Sequence, residues 1–220
     1  MAFTESIAKY LNDSLKASSL NFNAGLFHTM ATVIARKQDN NQLQLLPGIA
    51  DVNGNYKTIE PNDKLSLIVY HKSLSTSYNY AKQDSYGNNY DLKATNEVAM
   101  IIWANAKKIK LSDEQLETRI IASFPQQLSA ETKSSLQFKS CLISPLQTDM
   151  DKVRVFRQEY PGVNYFLRPE HIFFQLKYRV EIVFTQDCIT CGCVTRIPSG
   201  IITEAGQEIL TEDGSFILPE

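Results

Sequence analysis

What this chain lacks narrows it first. Its 22 basic and 24 acidic residues nearly cancel and no block of five like charges occurs. The electrostatic footprint for gripping nucleic acid is missing, so neither sequence-independent DNA binding nor a sequence-specific nucleic-acid partner is expected. No apolar run is as long as a membrane span, and Met1-Ala2-Phe3-Thr4-Glu5 has neither the basic start nor the apolar core of a signal peptide. A soluble product of the cytoplasm with no membrane partner is the expectation. Four cysteines are too few for a disulfide scaffold, and reduced thiols are the default. Gly-x-Ser-x-Gly, phosphate-loop and dinucleotide-binding fingerprints are absent. That counts against the common enzyme classes and leaves no residue to assign to catalysis or to a cofactor.

The strongest positive signals follow one another in residues 90–124. Val98, Met100, Ile102 and Ala104 alternate with Ala99, Ile101 and Trp103, so both faces of this run are apolar and it belongs in the centre of a sheet. Ser112-Asp113-Glu114-Gln115 is a capping box, with Leu111 placed to staple onto Leu116. Leu116, Ile120, Ile121 and Phe124 then form one helical stripe, and Pro125 ends it.

Elsewhere the pattern is plainer. Thr4 is placed to cap a first helix with Ile7, Tyr10, Leu11 and Leu15 on one face, ending near Ser18-Ser19. Residues 26–36 fit helix and strand equally well. Residues 39–63, rich in Asn, Gly and Pro, predict a long loop or loose hairpin turning at Asn53-Gly54. Residues 64–72 predict a strand beside the 98–104 strand. Between them, the polar stretch 73–90 carries Tyr78, Tyr80, Tyr86 and Tyr90. It is either a binding loop with rigid amphipathic contacts or a hairpin whose tyrosines half-cover the sheet. Residues 136–143 and 153–158 predict two strands joined through Pro145 and Asp149-Met150-Asp151, before a break at Tyr160-Pro161-Gly162. A long amphipathic strand follows, in which Phe174, Leu176, Tyr178, Val180, Ile182 and Phe184 alternate with Gln175, Lys177, Arg179 and Glu181.

This order predicts an α+β fold: a mixed, largely antiparallel sheet with one or two helices on one face. Residues 1–196 make a single domain, and residues 197–220 form an acidic β-repeat arm. The arm repeats aliphatic-aliphatic-Thr-Glu-x-Gly at Ile201 and Ile209, with five acidic and no basic residues. Two such units are too small to bury an apolar face alone, so the arm is expected to pair with another chain.

Cys188, Cys191 and Cys193 offer three thiolates, but only Cys141 could complete a zinc set, and structural thiols explain them more simply. No metal site is assigned. Asp51-x-Asn53-x-Asn55 resembles a calcium loop, yet its glycine is misplaced and Asn62 stands where Glu is required. His28, His71 and His171 are scattered, with no motif around them.

The order of elements (short N-terminal helix, mixed sheet, central amphipathic helix, long amphipathic final strand) resembles tail-terminator and neck proteins of tailed bacteriophages. The tandem Ile-x-Thr-Glu-x-Gly units look like repeats of phage structural proteins. The resemblance is one of layout, and the cysteine cluster and the 39–63 stretch depart from it. It implies a virion protein made in the host bacterial cytoplasm, not an enzyme. Such a subunit forms a ring with copies of itself and meets the tail tube and the head connector. The alternatives are a metal-binding or catalytic module built on the cysteine cluster, or a monomeric binding domain working through residues 73–90.

Overall fold

The structure, a computed structural model, describes residues 2–17, 25–37, 43–50, 55–82, 90–125, 128, 133, 138–161 and 167–184. It is α+β, with a mixed, largely antiparallel main sheet. The elements are α1 (Ala2–Ala17), β1 (Gly25–Met30), β2 (Thr32–Lys37), β3 (Leu43–Ala50), β4 (Tyr56–Thr58), β5 (Leu67–Lys82) and β6 (Tyr90–Asn105). After them come α2 (Ala106–Ile109), α3 (Asp113–Ala122), β7 (Phe138–Asp149), α4 (Lys152–Glu159) and β8 (His171–Phe184). The main sheet runs β1-β5-β6-β8-β7, with only β1 parallel to its neighbour. A second sheet, β2-β3-β4, is antiparallel throughout.

As its two apolar faces require, β6 is the central strand. Val98, Met100, Ile102 and Ala104 join one core cluster with Ile7, Leu11 and Leu15 of α1 and with Leu116 and Ile120 of α3. Ala99, Ile101 and Trp103 join another with Val155 and Phe156 of α4, Leu46 of β3, and Ile59. Helices α1 and α3 therefore cover one face, while α4 and the small sheet cover part of the other. The Ser112 capping box forms as expected, its hydroxyl accepting from the Gln115 N–H and the Gln115 side chain accepting from the Ser112 N–H. It fixes where α3 starts, and so which residues of α3 reach the sheet.

Several expectations are corrected. Residues 26–36 resolve into two strands, β1 and β2, which leave Ala31 for different sheets. Of the two readings of the 39–63 stretch, the hairpin holds and the long loop does not: it contains β3 and β4, paired antiparallel from Gly48↔Thr58 to Ala50↔Tyr56. A side chain at Gly48 would have to displace the end of the Ile34 side chain. Residues 153–158 are helix, not strand. Asp151 accepts from the N–H groups of Val153 and Arg154 at 3.2 and 3.1 Å, an N-cap that starts α4. Val155, Phe156, Glu159 and Tyr160 then fall on one buried face. Strand β7 continues through Pro145 to Asp149. Helix α1 starts two residues before Thr4, which is buried inside it and is not its cap.

Burying a large aliphatic side chain stabilises by about 1.5–3 kcal/mol, and losing one also leaves a cavity. Leu116→Ala and Ile120→Ala, which unseat α3 from the sheet, should each cost about 2–5 kcal/mol in urea denaturation. Thr118→Ala, on the exposed side of α3, should stay within about 0.5 kcal/mol. Equal effects from all three would mean that α3 does not pack as described.

Candidate functional site

The histidines come first, because burial makes them the obvious candidates. His71 is completely buried between α1 and β8, in a chain of hydrogen bonds whose direction is fixed by chemistry. Its ring Nε2 lies 3.0 Å from Asn12 Oδ1, and the Asn12 amide donates to the His28 carbonyl at 2.9 Å. The Tyr178 hydroxyl lies 3.0 Å from His71 Nδ1. A carbonyl oxygen can only accept, so Nε2 carries the proton and the Tyr178 hydroxyl donates to Nδ1. Burial alone drives the His71 pKa down to about 3, so the ring is neutral and every member is satisfied. This is a structural tie between α1, β5 and β8.

His171 is buried, with Nε2 2.8 Å from Asp63 Oδ1 and its ring edge-on to Trp103. His28 is half-buried, its pKa lowered by burial and then by Lys57. The three rings do not meet. On the other face Glu159 accepts from the Tyr70 hydroxyl at 3.0 Å and from Lys72 at 3.0 and 3.1 Å, pinning α4 to β5. An open polar cleft of about 250 Å³ lies between β7, α4 and β8, lined by Gln147, Asp149, Arg154, Gln158, Gln175 and Lys177. Asp149 is committed to Arg154 (2.7 Å), a bond that lowers its pKa, and the cleft holds no nucleophile paired with a base.

Cys141 is buried on β7, and its thiol is pushed up to about 12 by burial, with Lys133 opposing. Cys188, Cys191 and Cys193 lie outside the described residues, as do Asp51, Asn53, Tyr86 and the 197–220 arm. Asn55 is exposed.

The feature that stands out is an edge. Strand β1 covers β5 only from Leu67 to His71, and the last bond on that side is from the Ala31 N–H to the His71 carbonyl, at 2.7 Å. Strand β5 nevertheless continues to Lys82, paired with β6 to the end. Beyond His71 its outer side has no strand partner among the described residues, and residues 73–80 are all exposed. A bulge between Ser73 and Ser75 shifts the register, setting Thr76, Tyr78 and Tyr80 opposite Asn96, Ala94 and Leu92. Tyr78 and Tyr80 thus stand on the α1/α3 face at the rim of the sheet, 48% and 74% exposed.

From 73 to 81 no residue is charged and none is proline. Natural sheet edges are normally blunted by lysine, proline, bulges or short length. The opposite edge, β7, follows that rule, with Pro145 in mid-strand and irregularities at Phe138/Ser140 and Pro145/Gln147. The β5 edge carries one bulge, at Ser73/Ser75, and beyond it runs to Ala81 with no charge, no proline and no further irregularity. The hairpin that the sequence offered for residues 73–90 agrees with the β5/β6 pairing to Lys82↔Tyr90, but its open outer edge was not legible in so polar a stretch. The usable signal was the alternation of Thr76, Tyr78 and Tyr80 with Ser75, Ser77 and Asn79, which suits a strand.

No known protein family matches this chain, and no curated protein matches it at a significant level. Among the described residues no helix is long and apolar enough to cross a membrane.

The buried ring makes stability depend on pH. An unfolded histidine takes up a proton near pH 6.5, whereas folded His71 resists until about pH 3. Its contribution is therefore complete above about pH 6.5 and is lost as pH falls through that window, at up to about 1.4 kcal/mol per pH unit. His28 adds a dependence of the same sign. Urea titrations between pH 7 and 4 should show stability falling more steeply for the native protein than for His71→Gln. Parallel slopes would mean that the ring is not held neutral.

Proposed function

We propose that this chain is a structural subunit of a bacteriophage tail or neck, a tail terminator or connector that closes into a ring with copies of itself between tail tube and head. The layout of elements supports the reading. Its main support is the open, uncharged outer edge of β5 opposite a blunted β7 edge. A long edge of this kind is a template for strand addition, in which main-chain groups supply affinity and alternate side chains supply selectivity. With the second edge blunted, the sheet cannot extend in both directions. In the ring this edge meets a different surface of the next copy, a heterologous contact that closes when the rotation per subunit divides a full turn.

The exposed Leu74, Tyr78 and Tyr80 fit contact residues, since aromatic side chains give large contact area at low entropic cost. The role is mechanical and needs no cofactor or catalytic group. The protein is made in the host cytoplasm and works in the virion.

Light scattering should give a mass that is a multiple, greater than two, of the 24.9 kDa chain, and electron micrographs should show annular particles. Thr76→Pro and Ser77→Pro, placed in turn along the edge, should shift the mass towards the single chain in at least one case. A native protein that is monomeric, or a twofold dimer, would rule the ring out.

A further inference from the structure

We infer that the outer edge of β5 receives residues 197–220 of a neighbouring copy, the acidic repeat pairing as an added strand beside residues 73–81. The inference rests on the ring reading and names the surface that meets the edge. Three observations carry it.

The first is charge. The arm carries Glu204, Glu208, Glu212, Asp213 and Glu220 with no basic residue. The edge has no acidic residue between Lys72 and Lys82, and carboxylates beside it are paired: Glu97 and Asp91 of β6 with Arg179 and Lys139 at 2.9 and 2.6 Å, and Glu159 of α4 with Lys72 at 3.0 Å. An acidic strand can approach there without repulsion, whereas a second acidic arm would repel it. The second is length. An eight-residue repeat unit, extended, spans about 26 Å, close to the roughly 30 Å of edge from 73 to 81.

The third is position. Strand β8 ends at Phe184, level with the far end of the hairpin, since Val183 pairs with Lys93 and Lys93 pairs with Asn79. Residues 185–200, if extended, reach about 50 Å, enough to leave one subunit and lie along the edge of the next. Each subunit then offers one arm and one edge, the two unlike surfaces a ring requires.

Two full-length variants separate the parts. Ser75→Glu/Ser77→Glu places like charge on exposed edge positions and spoils the receptor. Ile202→Pro/Leu210→Pro removes N–H donors from both repeat units and spoils the strand. Each alone should lose the native assembly and run at single-chain mass by light scattering, with unchanged circular dichroism. Mixed one to one, they should form a pair of twice that mass, because one keeps an intact arm and the other an intact edge. Ser75→Lys/Ser77→Lys should assemble at least as well as the native chain.

If the variants do not pair on mixing, or if either assembles like the native protein, the arm does not bind this edge, even where native rings persist. A native chain that never assembles overturns the ring reading and this inference together.

Discussion

Everything in this molecule depends on β6 having two buried faces and two bonded edges. It pairs with β5 over Leu67↔Ala104 to Lys82↔Tyr90 and with β8 over Asn105↔His171 to Lys93↔Val183. Its backbone groups are thereby satisfied without water, the condition for burying a strand on both sides. Its side chains then feed two separate clusters, one under α1 and α3 and one under α4 and the small sheet. Between residues 93 and 97 the second face changes character: Lys93 and Glu97 pair with Glu181 and Arg179 at 2.7 and 2.9 Å. The strand is two-sided apolar only where layers exist to cover it.

Buried polar groups tie these layers together. The Asn12–His71–Tyr178 chain links α1 to β5 and β8, and the Tyr70–Glu159–Lys72 group links α4 to β5 from the opposite face. Each contributes modest net stability, because making the bonds replaces bonds to water. Breaking either costs more, since a buried donor, acceptor or charge is left alone. Their effect is on uniqueness: a helix sliding by one turn over an apolar sheet loses little packing, but it loses these bonds entirely. Both groups attach to consecutive residues of β5, and the open stretch of that strand begins immediately beyond them. The receptive edge is therefore held rigid at its root.

The α+β class, the central strand, the α3 cap and stripe, and the β8 alternation were legible because each signal is local and strong: a capping box, or a run long enough to fix its period. The misreadings share one physical cause. In residues 153–158, Val153 and Val155 flank Arg154 as alternate residues of a strand would. What decides the helix is Asp151 at its start and burial against Phe173, whose ring lies edge-on to Phe156 at 5.6 Å, and this tertiary contact outweighs local propensity. Residues 26–36 were undecidable because they are not one element. Ala31 is the point where the chain passes from one sheet to another, which no local period reports. The candidate site was hidden for a related reason: openness belongs to the neighbours of a strand, and β1 is more than thirty residues away from the edge it fails to cover.

That failure follows from the second layer. Strand β1 begins beside Leu67 and would cover all of β5 if it continued. Instead the chain turns at Ala31 and spends its next residues on β2, paired with β3, which brings Leu46 down onto Tyr70, Ile101 and Trp103 in the second cluster. Covering that face and covering the β5 edge are alternatives for the same stretch of chain, and burial of large apolar side chains outweighs bonds that water can replace. The edge is then left with donors and acceptors that a strand from elsewhere can pair at little cost. The opposite edge lacks that capacity at Pro145, which has no N–H to give. The sheet is thus open to strand addition at β5 and hindered from it at β7.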